Sequence, residues 1–162
     1  MIATRILRPR PTAALLLLLL GTLCDTLDGQ LARAAGGGTR FGSFLDSTLD
    51  RLSDAALAIA AVQLGTTLPD ATLYGGGLTL LVASFLVPYI RAKAESLGEG
   101  ASVGIAPREA RIAIYLIGVA AWAVTGVSVL FAVAVAVTAL LATITVIQRI
   151  AHMATALNEK KG

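Results

Sequence analysis

Four aspartates, Asp25, Asp28, Asp46 and Asp50, sit beside long apolar stretches of this chain. A charged side chain near a bilayer centre costs roughly 2.5–3.5 kcal/mol on insertion scales, so carboxylates in such company usually mark a functional site. Asp25 and Asp28 are three residues apart and Asp46 and Asp50 four apart. On helices, each pair therefore shares one face. Two such faces brought together would surround a small volume with four carboxylates. A site made only of oxygen donors suits a hard dication, Mg2+ or Mn2+, rather than zinc.

The elements that must position these groups read as membrane helices. Hydrophobic residues make up 56% of the 162 and charged ones 14%, a balance outside that of ordinary soluble domains. One domain is expected at this length. The single Cys24 excludes an internal disulfide framework. Stretches of about 20 apolar residues predict five spans: Thr12 to about Arg33, about Gly42 to Leu64, Leu73 to Leu97 with a kink at Pro88, Pro107 to Val124, and Ser128 to Ala156. This gives a basic segment over 1–11, an all-α transmembrane domain over 12–156 and a tail over 157–162. Gly36-Gly37-Gly38, Gly98-x-Gly100 and Thr125-Gly126 signal loops. Gly75-Gly76-Gly77 lies inside an expected span and suits close helix packing.

Lys and Arg set the orientation. Arg33, Arg40, Arg51, Arg91, Lys93, Arg108, Arg111, Arg149, Lys160 and Lys161 fall on one side of this topology, and the opposite loops near 63–72 and 125–128 carry none. The positive-inside rule then turns the carboxylate end to the cytoplasm of a multi-pass plasma-membrane protein. Arg5, Arg8 and Arg10 run against it. Trp122 and Tyr89 suit an aromatic belt, Asp54 a partner for Arg51 or a group supporting the carboxylate site from behind, and His152 an interfacial position without a partner.

The full pattern is Asp25-x2-Asp28-Gly29-x2-Ala32-Arg33-x8-Gly42-x3-Asp46-x3-Asp50, eight specified residues at fixed spacing. It resembles the signature of the CDP-alcohol phosphotransferases. The stretches 36–42 and 45–54 look like those of actinobacterial phosphatidylinositol-phosphate synthases, with phosphatidylglycerol-phosphate synthases as near relatives. The resemblance runs from about Leu16 to Arg149. It implies a six-helix membrane bundle, here lacking its first helix, since 1–11 is too short and too basic to span. It also implies two Mg2+ or Mn2+ ions on Asp25, Asp28, Asp46 and Asp50, with Asp50 doubling as the base for the acceptor hydroxyl. Gly29, Ala32, Arg33, Thr39 and Gly42 would line the cytidine-diphosphate pocket, and CMP would leave. The donor would be CDP-diacylglycerol, among membrane lipids and in a homodimer, with no nucleic-acid partner.

The acceptor side rests on a basic cluster. Arg91 and Lys93 end the third expected helix, Arg108 and Arg111 open the fourth, and Arg149 closes the fifth. Such a set can hold a phosphate, Arg by its bidentate fork. Positive-inside anchoring would account for any one of them as well. Segments 89–95, 108–111 and 148–149 look similar to the inositol-phosphate-binding parts of those synthases. Pro88 and Arg91 depart from the small polar residue and the lysine common there. The resulting expectation is transfer of the phosphatidyl group of CDP-diacylglycerol to inositol 1-phosphate. The alternatives are glycerol 3-phosphate as acceptor, a cation-binding transporter that uses the same carboxylates, or an inactive fragment.

Overall fold

The computed structural model describes residues 39–159. The first expected span, the basic segment before it and the end of the tail lie outside those residues, as do Asp25, Asp28, Gly29, Ala32 and Arg33. Four α-helices fill the described chain: α1 Arg40–Thr67, α2 Ala71–Ser96, α3 Arg108–Thr125 and α4 Ser128–Glu159. They match the second to fifth expected helices to within a few residues, so the all-α reading holds. By length and composition, α2 and α4 are long and apolar enough to cross a membrane.

Local chemistry sets the helix ends. Thr39 caps α1, its Oγ1 accepting from the Gly42 amide at 2.9 Å. Asp70 caps α2 by accepting from the amides of Thr72 and Leu73. Both caps relieve amide groups that the first helical turn leaves unpaired. Gly126, at φ 75°, closes α3 in the left-handed conformation and donates its amide to the Trp122 carbonyl, a conformation that glycine adopts without steric cost. The expected loops at Gly98 and Gly126 are therefore present. Pro88 lies within α2 without ending it.

Among the described helices, α1 packs on α2, α2 on α4, and α4 on α3. Small residues permit the closest approaches. A Cβ on Gly77 would meet the Val62 amide at 2.8 Å and the Ala58 carbonyl at 3.0 Å, and one on Gly76 would meet Val135 at 3.0 Å. Two of the three consecutive glycines thus let α2 lie against α1 and α4, as expected from the sequence. The core between α3 and α4 is aromatic. Tyr115 meets Phe131 edge-on at 5.0 Å, and Trp122 stacks on Phe131 at 5.8 Å. Trp122 is 8% exposed, which corrects its expected place in an interfacial belt: Gly118 abuts Ala134 and Phe131, bringing Phe131 near enough to cover the indole. Tyr89 is exposed.

The outer surface is apolar. Ile117, Val133, Leu140 and Ile147 are all more than half exposed, which is rare in such density on a soluble domain and normal against lipid. Buried Thr138 and Thr145 satisfy their hydroxyls within α4, donating to the Ala134 and Leu141 carbonyls.

Candidate active site

Asp46, Asp50 and Asp54 recur every fourth residue of α1, so they form one row along the helix. Their burial is graded. Asp46 is exposed, the Asp50 side chain is 25% accessible, and that of Asp54 is 9% accessible. Arg108, in the first turn of α3, reaches across to this row. Its Nη1 lies 2.7 Å from Asp50 Oδ1 and its Nε 3.1 Å from Asp54 Oδ1. Nη2 also donates to the Asp50 carbonyl at 3.4 Å. Lower down, the Tyr115 hydroxyl donates to the Leu57 carbonyl at 2.9 Å. Polar bonds of this kind join α1 to α3, which meet mainly through α2 and α4.

Asp54 therefore pairs with Arg108, which corrects the sequence-based expectation of Arg51 as its partner. The Arg51 Nε donates instead to the Ser47 carbonyl of its own helix. The physical reason is direction. Asp54 faces the bundle interior, where only an arginine from another helix can meet it.

Arg111, one turn after Arg108, is 6% exposed. It lies in the field of Asp54 and of Arg108, and its Nη1 is buried with no hydrogen-bond partner among the described residues. Asp54 Oδ2 is in the same condition. Both residues line a cavity of about 20 Å³, together with Ser84, Arg108, Tyr115 and Thr138. The structure thus brings Arg108 and Arg111 together around Asp54.

Arg149 stands apart from that pair, though the charges of Arg111 and Arg91 reach it. Its Nε donates to the Val103 carbonyl at 2.9 Å and its Nη1 to the Val87 carbonyl at 2.6 Å. The side chain ties α4 to α2 and to the segment between α2 and α3. Two neighbours on α4 hold the same segment. Gln148 accepts from the Ile105 amide at 3.0 Å, and His152 meets the Gly100 carbonyl at 3.1 Å. His152 is thus partnered, which corrects the expectation that it had no partner. The signal missed was its spacing from Gln148 on one helix face. Arg91 pairs with Glu95 on the surface at 2.9 Å, and Lys93 is exposed.

Replacing Arg149 with Ala should free the segment 97–107. The expected outcome is faster hydrogen exchange of the Ile105 amide with little change in the α3–α4 core. Arg149→Lys should restore this protection only in part, because an ammonium is a point charge and not a planar fork.

Thr39 and Gly42 lie together as the α1 cap described above. Among the described residues no cluster of three or more metal-ligating side chains forms. Asp46 and Asp50 supply two carboxylates one helical turn apart. Both are oxygen donors, the donor type that suits a hard dication.

Residues 1–151 match the family model described as CDP-alcohol phosphatidyltransferase. The archaetidylinositol phosphate synthase of Pyrococcus horikoshii is 45% identical over 103 residues, covering 63% of this chain and 52% of the relative. That of Aeropyrum pernix is 39% identical over 151 residues, covering 89% and 71%. The chain therefore spans only about half the length of the Pyrococcus relative. Among solved structures, the phosphatidylinositol phosphate synthase of Mycobacterium tuberculosis with CDP-DAG bound superposes with a TM-score of 0.73 at 35% identity, covering 80% of this chain and 66% of that one. The same enzyme with manganese and citrate gives 0.71 at 34% identity, covering 80% and 63%.

Proposed function

This chain belongs to the CDP-alcohol phosphatidyltransferase family, and on that premise we propose that it transfers the phosphatidyl group of CDP-diacylglycerol to a phosphorylated polyol, releasing CMP. Inositol 1-phosphate is the proposed acceptor. The names of the related synthases and the basic residues near Asp50 both favour it. The observation that carries the reading is the 2.7 Å contact between Arg108 Nη1 and Asp50 Oδ1. It joins a basic group suited to an acceptor phosphate with the carboxylate suited to taking a proton from the same acceptor.

Asp46 and Asp50, with Asp25 and Asp28 from the other half of the motif, would hold two divalent ions. A dication bound there would neutralise the pyrophosphate oxygens and stabilise charge developing in the transition state. Asp50 would accept the hydroxyl proton as the acceptor oxygen bonds to the phosphorus that bears the diacylglycerol, and the bond from that phosphorus to CMP breaks. Gly29, Ala32, Arg33, Thr39 and Gly42 would face the nucleotide. Arg91, Lys93, Arg108, Arg111 and Arg149 would bias the acceptor side toward anions.

The same reading gives five spans, the carboxylate edge at the cytoplasmic face of the plasma membrane, and a homodimer. The Lys and Arg distribution supports the orientation, and the family resemblance supports the pairing.

The test is CMP release by the detergent-solubilised full chain with CDP-diacylglycerol and Mn2+ or Mg2+. Inositol 1-phosphate should be preferred over glycerol 3-phosphate and over free inositol. A preference for glycerol 3-phosphate would move the enzyme to the alternative acceptor. Equal rates with free inositol and its phosphate would remove the phosphate-binding role of the arginines.

A further inference from the structure

We infer that Asp54 is a positioning residue for the acceptor phosphate: it fixes Arg108 by a direct bond and Arg111 through a single buried water. The inference rests on the transferase reading above, but its central measurement does not depend on turnover.

The direct leg is geometric. Asp54 Oδ1 accepts from the Nε of Arg108 at 3.1 Å. Nε is the nitrogen nearest the aliphatic stem, so the bond pins the guanidinium plane without using either terminal nitrogen. Those two reach Asp50, Nη1 at its carboxylate and Nη2, over a longer 3.4 Å, at its carbonyl. A long side chain that would otherwise lose rotamer freedom on binding an anion is thereby held in advance. Arg108 keeps 24% of its side chain accessible, enough for its end to meet an incoming anion.

The water leg rests on two orphaned atoms and a small cavity that both their residues line. Asp54 Oδ2 and Arg111 Nη1 are both buried without partners, and the two residues are 8% and 6% exposed. Leaving either atom unsatisfied costs more than an ordinary hydrogen bond returns, and the cost rises for charged groups. The cavity they line, about 20 Å³, is sized for one water, which needs roughly 10–15 Å³ of such space. The bonding also balances. The water would accept from Arg111 Nη1 and donate to Asp54 Oδ2. Its second hydrogen could go to Ser84 Oγ or Thr138 Oγ1, whose own hydrogens are committed to the Leu81 and Ala134 carbonyls. Asp50 and Asp54 then offset Arg108 and Arg111, so the cluster carries no net charge before substrate arrives. That is how charge can be kept in an apolar bundle.

The test uses Asp54→Asn in the full chain. The amide keeps the oxygen that accepts from Arg108 but loses the charge and introduces a donor at one arm. Binding of inorganic phosphate, measured calorimetrically on the solubilised protein, should weaken about tenfold or more, as when a charge-assisted contact is misaligned. Binding of Mn2+, followed by its electron paramagnetic resonance signal, should stay within about twofold, since in this reading Asp54 is no ligand and the substituted amide keeps the oxygen that holds Arg108. In turnover, the acceptor KM should rise while the KM for CDP-diacylglycerol holds. Asp54→Glu, with its extra methylene, should not rescue phosphate binding. Unchanged phosphate binding in Asp54→Asn would overturn the inference even if the wild type is an active transferase. A tenfold loss of Mn2+ affinity would overturn it too, by making Asp54 part of the metal site. A wild type that binds phosphate but releases no CMP would sink the transferase reading, and phosphate binding would still decide the role of Asp54. A structure that orders water and shows the cavity dry would remove the Arg111 leg.

Discussion

Replacing Asp50 with Asn should lower turnover by about a hundredfold to ten-thousandfold, the range that a positioned general base supplies. The substitution is nearly isosteric. Asn keeps an oxygen where Oδ1 now accepts from Arg108 at 2.7 Å, so the tie between α1 and α3 should persist in neutral form. What it loses is the ability to take a proton and one unit of charge on the proposed metal edge. The result should be a protein with near-normal thermal stability, a KM for CDP-diacylglycerol within a few-fold of wild type, and almost no CMP release. Asp46→Asn should differ. Asp46 is exposed and has no part in the arginine pairing, so its loss should appear first as weaker Mn2+ binding that excess metal partly restores. Near-normal rates for Asp50→Asn at saturating metal would end its assignment as the base.

The helices were legible because apolar runs are punctuated by residues with a mechanical reason to stop them. Thr39, Asp70 and Gly126 each end or begin an element by a specific bond or a positive φ, and these types are visible in any sequence. Gly76 and Gly77 were legible too, since the long apolar run around them left packing as their use, whereas Gly75 meets no neighbour. Helix partners were another matter. Periodicity tells which residues share a face, but not which helix that face meets. Arg108, Arg111 and Arg149 read as part of one phosphate-holding cluster because each lies near a helix end on the same side. The folded chain divides them: Arg108 and Arg111 gather around Asp54, while Arg149 spends two donors on the backbone of α2 and the segment before α3. The separation of 54 positions between Asp54 and Arg108 puts that pairing beyond local patterning. Trp122 failed for a related reason, because its burial depends on Phe131 from the next helix. On the candidate site, the i,i+4 row of carboxylates on α1 was fully readable. The meeting of that row with Asp25 and Asp28 rests on the motif spacing alone.

Arg108→Ala should be the most damaging single change to the described bundle. It removes the cation that two carboxylates share and leaves Asp54 buried without its direct ion-pair partner. Breaking one side of a buried ion pair costs roughly 3–5 kcal/mol, and part of that should be spared here because Asp50 is accessible enough to be hydrated. Loss of a charged hydrogen bond to phosphate, on the order of 1.5–3 kcal/mol, should add about a tenfold to 150-fold rise in the acceptor KM. Stability and acceptor binding can be separated by pairing Arg108→Ala with Asp54→Asn. If the instability comes from the uncompensated Asp54 charge, neutralising Asp54 should recover much of the lost thermal stability, because two neighbouring changes on one ion pair are not additive. Acceptor binding should stay lost, since no guanidinium remains to meet the phosphate. Recovery of both would mean that Arg108 serves only to neutralise Asp54. Recovery of neither would mean that the contact with Asp50 is what holds α3 to α1.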